Sequence, residues 1–397
     1  MRLNLTLRDL SKAPRIALSF QRIWLMLCGL LAGYSGYFSF SWLALFIAGK
    51  SPSQIWGNFY LFPHLTNTDA SWYARFIYAI GILLLWLCLS IAATAISRAA
   101  YVFLKGQNFY TWREAIRFAC GKIWSLILAP LSLLFFILCF FITGWLISLL
   151  GNIPWIGPIG ITLFTVVWIV FSLLLLFLSI IFILILILMP AILATTDEDA
   201  FEVVFQTISI IWHQPVHFMG YQAYNIIFSL LSLFVFSFSI KKAILLCFSI
   251  FQTPLVTTAY FRNNFSTIIT QTFATLEKWL HPFSALFDNL FGQFTSRVKS
   301  WIWLNHHFDF VNISQISPDF RIASYILTFS LLLIGCMVLA YALATFNVSN
   351  TMSYIILRYK KENKNLLERE DAEEARFDAK VDDLMENEEN IQTDTKS

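Results

Sequence analysis

The stretch DEDAFEVVFQTISIIWHQPVHF (residues 197–218) separates two long runs that contain no charged residue. After the acidic residues Asp197, Glu198 and Asp199, apolar residues recur at spacings of three and four: Phe201, Val204, Phe205, Ile208 and Trp212. This periodicity predicts an amphipathic helix with one apolar stripe. The acidic residues lie at its N-terminus, where the helix dipole favours negative charge. We expect the stripe to lie in a membrane interface.

The composition of the whole chain is that of an integral membrane protein. Of the 397 residues, 58% are apolar and 13% are charged, and the mean hydropathy is +0.68. One soluble core could not accommodate this balance without large exposed apolar patches. A membrane-spanning helix needs about 20 apolar residues, and six charge-free runs meet this length: 23–49, 76–97, 123–150, 159–194, 218–240 and 322–346. The sequence therefore predicts an all-α, polytopic membrane protein with six transmembrane helices.

The fourth run and two further segments differ from a simple membrane span. The fourth run has 36 residues without a charge and would extend about 54 Å as one helix, beyond the roughly 30 Å hydrocarbon core. We expect it to be tilted and to end near Pro190. The segment 243–261 is interrupted by Pro254 and diluted by polar residues, so we interpret it as interfacial or re-entrant. The polar run FNVSNTMSY (346–354) is predicted to be the interfacial exit from the sixth span.

Three segments that precede a predicted span end in the pair Ile-Trp: 11–24, 111–124 and 199–212. A Trp at this position fits the aromatic belt at the lipid headgroups. Trp24, Trp124 and Trp212 are therefore predicted membrane-interface residues, together with Phe201 and Phe205 of the apolar stripe. The pattern predicts three hairpins of two spans, each preceded by a cytoplasmic interfacial amphipathic helix.

This repeat divides the chain into three units and a tail. Residues 1–97, 98–196 and 197–361 each contain an interfacial helix and two spans, and residues 362–397 form an acidic cytoplasmic tail. The third unit also contains an outer-face segment at about 241–320. Apolar residues at helical spacing in that segment predict two or more amphipathic helices on the outer membrane face.

The Lys and Arg residues beside the spans predict the orientation, since positive residues near span ends resist translocation. The first 22 residues contain five of them, the segment after the second span contains five more, and RYKKENK follows the sixth span. The loop at 48–75 contains only two, and GNIPWIGP contains none. Both termini are therefore predicted to be cytoplasmic.

The sequence carries no motif for catalysis or for metal binding. No Asp, Glu, Lys, Arg or His lies inside the six charge-free runs, although proton relays and ion-coupled carriers need such residues. His213 and His217 have the spacing of a helical zinc pair, but Pro215 between them breaks a helix. Three adjacent carboxylates without a fourth ligand are a poor divalent cation motif. We predict no catalytic, cofactor-binding or metal-binding residue, no nucleic-acid partner and no enzymatic activity.

Charge is distributed unevenly along the chain. Residues 362–397 contain 13 acidic and five basic residues, a net charge of −8, whereas residues 1–361 carry a net charge of +11. A basic body is attracted to an anionic membrane surface, while the tail is repelled into the cytoplasm. We expect membrane lipids as partners, and a protein partner bound through the acidic tail or the outer segment. A solvated tail without a partner is the alternative.

Glycine spacing in the first span predicts close helix packing. Gly29 and Gly33 form a GxxxG motif, and Gly36 follows nearby. Small residues at this spacing let two helices approach each other closely. The motif is frequent by chance in long apolar runs, so it does not by itself predict a dimer.

Two functions fit this architecture. The first is a scaffold, assembly or lipid-interface component of a membrane complex. The alternative is a permease or lipid-translocating component, whose polar pathway would pass Tyr221, Gln222, Tyr224 and Asn225 on the fifth span. These four residues are also typical hydrogen-bonding groups of a membrane interface. A hydrated cavity that reaches the middle of the membrane would favour transport, whereas a solid bundle with surface-lying helices would favour a scaffold.

Several motifs carry a resemblance to a known group of proteins: SLILAP, GNIPWIGPIG, LMPAILATTDEDAFEVVFQTISIIWHQPVHFMGY and SNTMSYIILRYKKE, in this order. The order resembles a group of uncharacterised bacterial integral membrane proteins that are loosely similar to the Yip-type proteins and to the membrane domain found with glycerophosphodiester phosphodiesterases. The resemblance covers about residues 98–225 and 340–362. It implies a location in the bacterial inner (cytoplasmic) membrane. No catalytic residue carries over, since the sequence contains no recognisable phosphodiesterase domain.

Overall fold

A computed structural model describes residues 7–65, 71–107, 110–151, 156–253, 259–291, 318–362 and 366–368. These residues form helices and connecting turns and contain no β-strand, which confirms the predicted all-α fold. Two 3-10 helices lie at Leu7–Lys12 and Leu366–Glu368. The α-helices are α1 (Ala13–Ala17), α2 (Phe20–Ile47), α3 (Pro52–Phe59), α4 (Trp72–Lys105), α5 (Trp112–Gly121), α6 (Ile123–Leu150), α7 (Ile156–Leu163), α8 (Thr165–Thr196), α9 (Ala200–His213), α10 (Pro215–Gln252), α11 (Ala259–Phe291) and α12 (Pro318–Glu362).

Six of the described helices are long and apolar enough to cross a membrane: α2, α4, α6, α8, α10 and α12. They agree in number and order with the six predicted spans. The chain therefore has the helices of a multi-pass membrane protein. Helix α12 has 45 residues and extends about 67 Å, so it must continue beyond a hydrocarbon core of roughly 30 Å.

The chain folds into two compact units, each assembled from separate stretches of sequence. Unit 1 contains the described residues within 1–13, 93–225 and 347–397, and unit 2 contains those within 14–92 and 226–346. These units differ from the divisions predicted from the repeat, since unit 2 combines parts of the first and the third of them. The three-part organisation of the sequence stays a prediction.

In unit 2, helices α2 and α4 approach each other closely at glycines of α2. A Cβ atom placed on Gly29 would lie 2.3 Å from the Cβ of Ala92, and one placed on Gly33 would lie 3.1 Å from the Cβ of Cys88. The GxxxG motif is therefore used for packing within the chain. Because α4 covers these glycines, the motif does not offer a free face for a dimer.

The first predicted amphipathic helix is replaced by short elements. A six-residue 3-10 helix is followed by the five-residue α1, and two further residues separate α1 from α2. The guanidinium of Arg22 reaches back across this break to the carbonyl of Ile16. The hydroxyl of Tyr341 donates to the carbonyl of Pro14 at 3.1 Å. These contacts override the helical periodicity, so the prediction of one helix over residues 11–24 is wrong.

The second and third amphipathic segments are helical. Helix α5 begins with a capping box, in which the Glu114 carboxylate accepts from the N–H of Thr111 at 2.7 Å. Helix α9 begins after its N-cap residue Asp199, whose side chain makes no capping hydrogen bond. Asp197 instead closes α8 in the left-handed conformation, with φ of 56°, and its carboxylate pairs with Lys122 at 3.0 Å. The acidic residues therefore divide between the end of α8 and the start of α9.

The fourth span differs from the predicted single helix in two ways. A turn at Phe164 separates α7 from α8, and α8 continues six residues past Pro190 instead of ending there. Proline leaves the carbonyl four residues earlier, that of Leu186, without an N–H partner. In unit 1 the side-chain amide of Asn350 donates to the next carbonyl, that of Ile187, at 2.7 Å. A polar group from another helix thus compensates for the interruption, as is common for prolines in membrane helices.

The predicted interfacial segment 243–261 also has a different form. Residues 243–252 continue α10 without a break, and Phe248 packs with Ile269 and Phe273 of α11. These ten residues therefore extend α10 instead of forming an element of their own. Their interfacial or re-entrant position stays a prediction. Residues 254–258 lie outside the described residues.

Between the end of α10 and the start of α12, the described part of the predicted outer-face segment contains one helix. This is α11, which has 33 residues and includes Pro282. Residues 292–317 of the segment lie outside the described residues. The prediction of two or more amphipathic helices there therefore stays a prediction.

Three helical segments form the core of unit 1. Every residue is buried in 93–102 of α4, in 188–196 of α8 and in 347–357 of α12. Segments that are buried on all sides lie at the centre of a helical bundle. The 3-10 helix after α12 also belongs to this core, since Leu366 is 4% exposed and its carbonyl accepts from the hydroxyl of Tyr101 at 2.7 Å. The acidic tail therefore begins at a fixed point on α4.

A buried arginine joins three helices of unit 1. Arg98 follows the predicted second span directly, lies inside α4 and is 1% exposed. Its guanidinium donates to the carbonyl of Ala194 near the end of α8 at 3.1 Å and lies 4.5 Å from the ring centre of Phe118 on α5. A helix C-terminus and the face of an aromatic ring both attract a cation. Arg98 thus fixes the ends of α4, α5 and α8 to one another.

Candidate functional site

A group of polar side chains is enclosed in unit 1 where α12 contacts α8, α9 and α10. We call this group the polar cluster; its members are Gln206, Gln222, Asn225, Ser349, Asn350, Ser353 and Tyr354. A buried polar group is costly unless it forms a hydrogen bond. Every member forms a side-chain hydrogen bond to another member of the polar cluster. The polar cluster is therefore the main candidate for a functional or an architectural centre.

One half of the polar cluster is a directional chain of hydrogen bonds. The hydroxyls of Ser349 and Ser353 both donate to Oδ1 of Asn225, at 2.6 and 2.9 Å. The amide of Gln222 accepts from Asn225 at 3.5 Å and donates to Oδ1 of Asn350 at 2.9 Å. Asn350 in turn donates to a main-chain carbonyl of α8 at 2.7 Å. Asn225 thus joins α10 to two turns of α12, with both acceptor positions of its oxygen occupied.

The other half of the polar cluster connects to charged groups. The hydroxyl of Tyr354 donates to Oε1 of Gln206 on α9 and accepts from Arg358 at 3.0 Å. Nε2 of Gln206 donates to the carboxylate of Glu202 at 2.7 Å. Arg358 also pairs with Glu362 at 3.3 Å. This half therefore runs from a carboxylate on α9, through two neutral side chains, to an arginine on α12.

The structure brings together only part of the predicted polar pathway. Gln222 and Asn225 belong to the polar cluster. Tyr221 is 1% exposed, and its hydroxyl has no hydrogen-bond partner in the described part of the chain. The ammonium of Lys360 lies 5.5 Å from the ring centre of Tyr221, within the range of a cation–π contact. Tyr224, in contrast, is 43% exposed, because it lies on a different face of α10.

Sequence reasoning missed the members of the polar cluster on α12. The run FNVSNTMSY (346–354) is predicted to be an interfacial exit, but all its residues from 347 onward are buried in the protein. A signal for this arrangement is present in the spacing. Ser349 and Ser353 are four residues apart, as are Asn350 and Tyr354, so each pair lies along one helix face. Two polar stripes within a charge-free run of a helix indicate interhelical hydrogen bonding.

The predicted membrane-interface residues all have exposed side chains. Their exposed fractions are Trp24 42%, Trp124 73%, Phe201 80%, Phe205 59% and Trp212 71%. The buried face of α9 is mixed, since it contains Gln206 and Thr207 together with the apolar residues Val203 and Ile210. Helix α9 therefore packs a face of both polar and apolar residues against the protein and leaves the large side chains Phe201, Phe205 and Trp212 exposed. That these side chains contact lipid stays a prediction.

The chemistry available in the described part of the chain is hydrogen bonding and charge pairing. Among the residues described, no three His, Cys, Asp or Glu side chains lie close enough together to hold a metal ion. His213 ends α9, and its Nδ1 donates to the carbonyl of Ser209 on the same helix at 2.9 Å. Pro215 begins α10, so His213 and His217 lie on different helices, as Pro215 predicts.

Comparison with known proteins gives no family assignment, since no protein-family model, no curated protein and no solved structure matches the chain. The resemblance of the motifs to the bacterial membrane-protein group therefore stays a prediction.

Proposed function

We propose that this chain is a non-enzymatic membrane protein that acts as a scaffold, assembly or lipid-interface component of a membrane complex. The observation that carries the proposal is the polar cluster. A transport pathway needs polar groups that exchange partners with a passing solute. Asn225 instead has both acceptor positions filled by Ser349 and Ser353, at 2.6 and 2.9 Å. Such cross-links hold helices in one arrangement, which is what a scaffold requires.

The outward-facing stripe of α9 supports the lipid-interface part of the proposal. Phe201, Phe205 and Trp212 form an exposed apolar surface on a helix whose other face packs against unit 1. Apolar and aromatic side chains in such a position partition into the headgroup region of a bilayer. We place this surface on the cytoplasmic side of a bacterial inner membrane, following the distribution of Lys and Arg and the motif resemblance.

The start of the acidic tail supports the protein-binding part of the proposal. The hydrogen bond from Tyr101 to Leu366 fixes the tail to α4 at 2.7 Å. Residues 369–397 follow this point and contain 11 acidic residues. Because the tail starts at a fixed point, its acidic residues are tethered near one place on the protein. This favours a tail that binds a basic protein partner over a tail that is only repelled by the membrane surface.

The alternative function is a permease or lipid-translocating component, and one observation favours it. The hydroxyl of Tyr221 is buried without a partner in the described part of the chain. A buried polar group without a partner in the resting state is available to a polar solute or a lipid headgroup. Of the four residues on the predicted pathway, Tyr221 is the one for which the described part of the chain shows such a group, and a continuous polar path would need more than one.

Copurification and vesicle assays together separate the two functions. The intact chain and a version that ends after Glu368 are purified from the same source membrane in native lipid discs, so that the Tyr101 to Leu366 contact is kept in both. The scaffold proposal predicts a protein that copurifies in a fixed ratio with the intact chain and is reduced about tenfold with the shorter chain. In vesicles that contain the intact chain, it predicts no protein-dependent transfer of fluorescent phospholipid between leaflets. Such transfer, absent with heat-denatured protein, would establish the alternative.

A further inference from the structure

A groove on the surface of unit 1 runs between α6 and α9. We call it the α6–α9 groove; it is lined by Leu128, Leu131, Ser132, Phe135, Phe136, Ala200 and Phe201. Its wall is apolar except for Ser132, whose hydroxyl already donates to the carbonyl of Ala129 at 2.8 Å. No side chain of the groove wall therefore keeps a hydroxyl proton free for a ligand. An aliphatic chain suits such a surface.

The lining side chains are exposed although they are large and apolar. Leu131 is 51% exposed, Phe135 is 63% exposed and Phe201 is 80% exposed. Helix α6 is one of the six helices long and apolar enough to cross a membrane, so we expect lipid to surround this surface. A concave apolar surface holds an acyl chain better than a convex one, because the chain is in contact on more than one side.

Charged groups of both signs lie at the starts of the two helices that border the α6–α9 groove. Lys122 immediately precedes α6, and Asp199 immediately precedes α9. The two helix starts are held together by Lys122, which donates to the carboxylate of Asp197 at 3.0 Å and to its carbonyl at 2.8 Å. An ammonium group has three N–H donors, so Lys122 keeps one for another acceptor. Asp199 is exposed, and its side chain does not cap α9.

We propose that the α6–α9 groove binds a phospholipid of the phosphatidylethanolamine type from the bilayer. One acyl chain lies along Leu131 and Phe135, the headgroup ammonium donates to the carboxylate of Asp199, and the phosphate accepts from Lys122. The proposal names the lipid for the lipid-interface role and so rests on the proposed function.

The headgroup chemistry distinguishes this lipid from the other common classes. The quaternary ammonium of phosphatidylcholine has no N–H and cannot donate to Asp199. The exposed residues Arg113 and Arg117 on α5 would favour an anionic headgroup, but neither lines the α6–α9 groove. Asp199, next to Ala200 in the groove wall, repels an anion.

Photo-crosslinking tests the proposal in the full chain. The protein is reconstituted in phosphatidylcholine vesicles that contain a small fraction of one lipid with a photoreactive acyl chain: phosphatidylethanolamine, phosphatidylcholine or phosphatidylglycerol. Adducts on residues 123–150 are then quantified by mass spectrometry. We expect phosphatidylethanolamine to label this segment about fivefold more than phosphatidylcholine, the ratio that one exposed charge-assisted contact supports. Equal labelling, or stronger labelling by phosphatidylglycerol, would overturn the proposal.

Two matched pairs of variants locate the lipid. Ser132→Trp fills the α6–α9 groove, and its control Ser172→Trp lies on another exposed apolar surface, on α8. Asp199→Asn keeps a good N-cap residue but removes the charge, and its control is Glu277→Gln on α11, also exposed.

The proposal requires S132W to reduce phosphatidylethanolamine labelling about fivefold and D199N to reduce it to the phosphatidylcholine level. Unchanged labelling in either variant, or equal losses in the controls, would overturn it. Because this readout depends on lipid class, its failure is distinct from a failure to find a protein partner.

Discussion

Replacing Asn225 with Leu is expected to lower the free energy of unfolding of the chain by about 2 to 4 kcal/mol. Asn225 is 0% exposed and accepts from the hydroxyls of Ser349 and Ser353. Leucine cannot accept a hydrogen bond, so both hydroxyls stay buried without this acceptor. The hydrogen bond from Asn225 to Gln222 is also lost. The loss is measurable by titrating the purified protein with sodium dodecyl sulfate and following unfolding by tryptophan fluorescence.

A triple variant separates the hydrogen bonds from side-chain volume. In N225L combined with Ser349→Ala and Ser353→Ala, no hydroxyl remains that needs the Asn225 oxygen, so we expect recovery of about half of the lost stability. The control is Ile227→Leu on the exposed face of α10, where no loss is expected. The contrary result is a triple variant that is less stable than N225L by the sum of the individual effects of the two Ser→Ala replacements. In that case the hydrogen bonds to Asn225 would not be what stabilises the polar cluster.

Replacing Gly29 with Ala is expected to destabilise the chain by about 1 to 3 kcal/mol, because the two helices cannot make room without moving apart. The new Cβ would lie 2.3 Å from the Cβ of Ala92 and 3.2 Å from the carbonyl oxygen of Cys88. The same titration measures the loss. Ala92→Gly in the G29A background removes the closer contact and is expected to restore most of the stability.

The matched control for this prediction is Gly144→Ala on α6. A Cβ on Gly144 would meet no atom within 4 Å, and alanine favours a helix over glycine by up to about 1 kcal/mol. We therefore expect no loss of stability. An equal loss in G29A and G144A would show that the close contact between α2 and α4 is not present in the folded protein.

The six spans are predictable because each is a long run without charge, and hydrophobicity alone determines such a signal. The glycine motif also predicts close packing, but it does not say which helix is the partner. The start of α9 is predictable to within a residue, because acidic residues precede an unbroken apolar periodicity. These features depend on short stretches of sequence and on general preferences of the bilayer.

The features that the sequence does not predict depend on contacts between distant residues. Pro190 normally ends a helix, yet α8 continues through it, with Asn350 supplying a donor to the neighbouring carbonyl from 163 residues away in sequence. The composition of the polar run in α12 does not distinguish a run that faces water from one that faces other helices. The short helix α1 before α2 is contacted by Tyr341, which donates to the carbonyl of Pro14 from 327 residues away in sequence.

The candidate site is also only partly predictable, because it depends on contacts between residues distant in sequence. Gln222 and Asn225 are polar groups on an otherwise apolar helix, and this singles them out, together with Tyr221 and Tyr224. Their partners on α12 and α9 follow only from the fold. Adjacency in sequence groups Tyr224 with the others, although successive residues of a helix point about 100° apart.

The most direct test of the account is the environment of the α9 stripe. Nitroxide labels at positions 201, 205 and 212 of a cysteine-free version of the chain, reconstituted in vesicles, report collisions with oxygen and with a water-soluble nickel complex. If the stripe rests in the membrane interface, oxygen will relax these labels more strongly than nickel, while a label at exposed Arg113 will show the opposite order. Stronger relaxation by nickel at all three positions would place the stripe in water and contradict the proposed lipid-interface role.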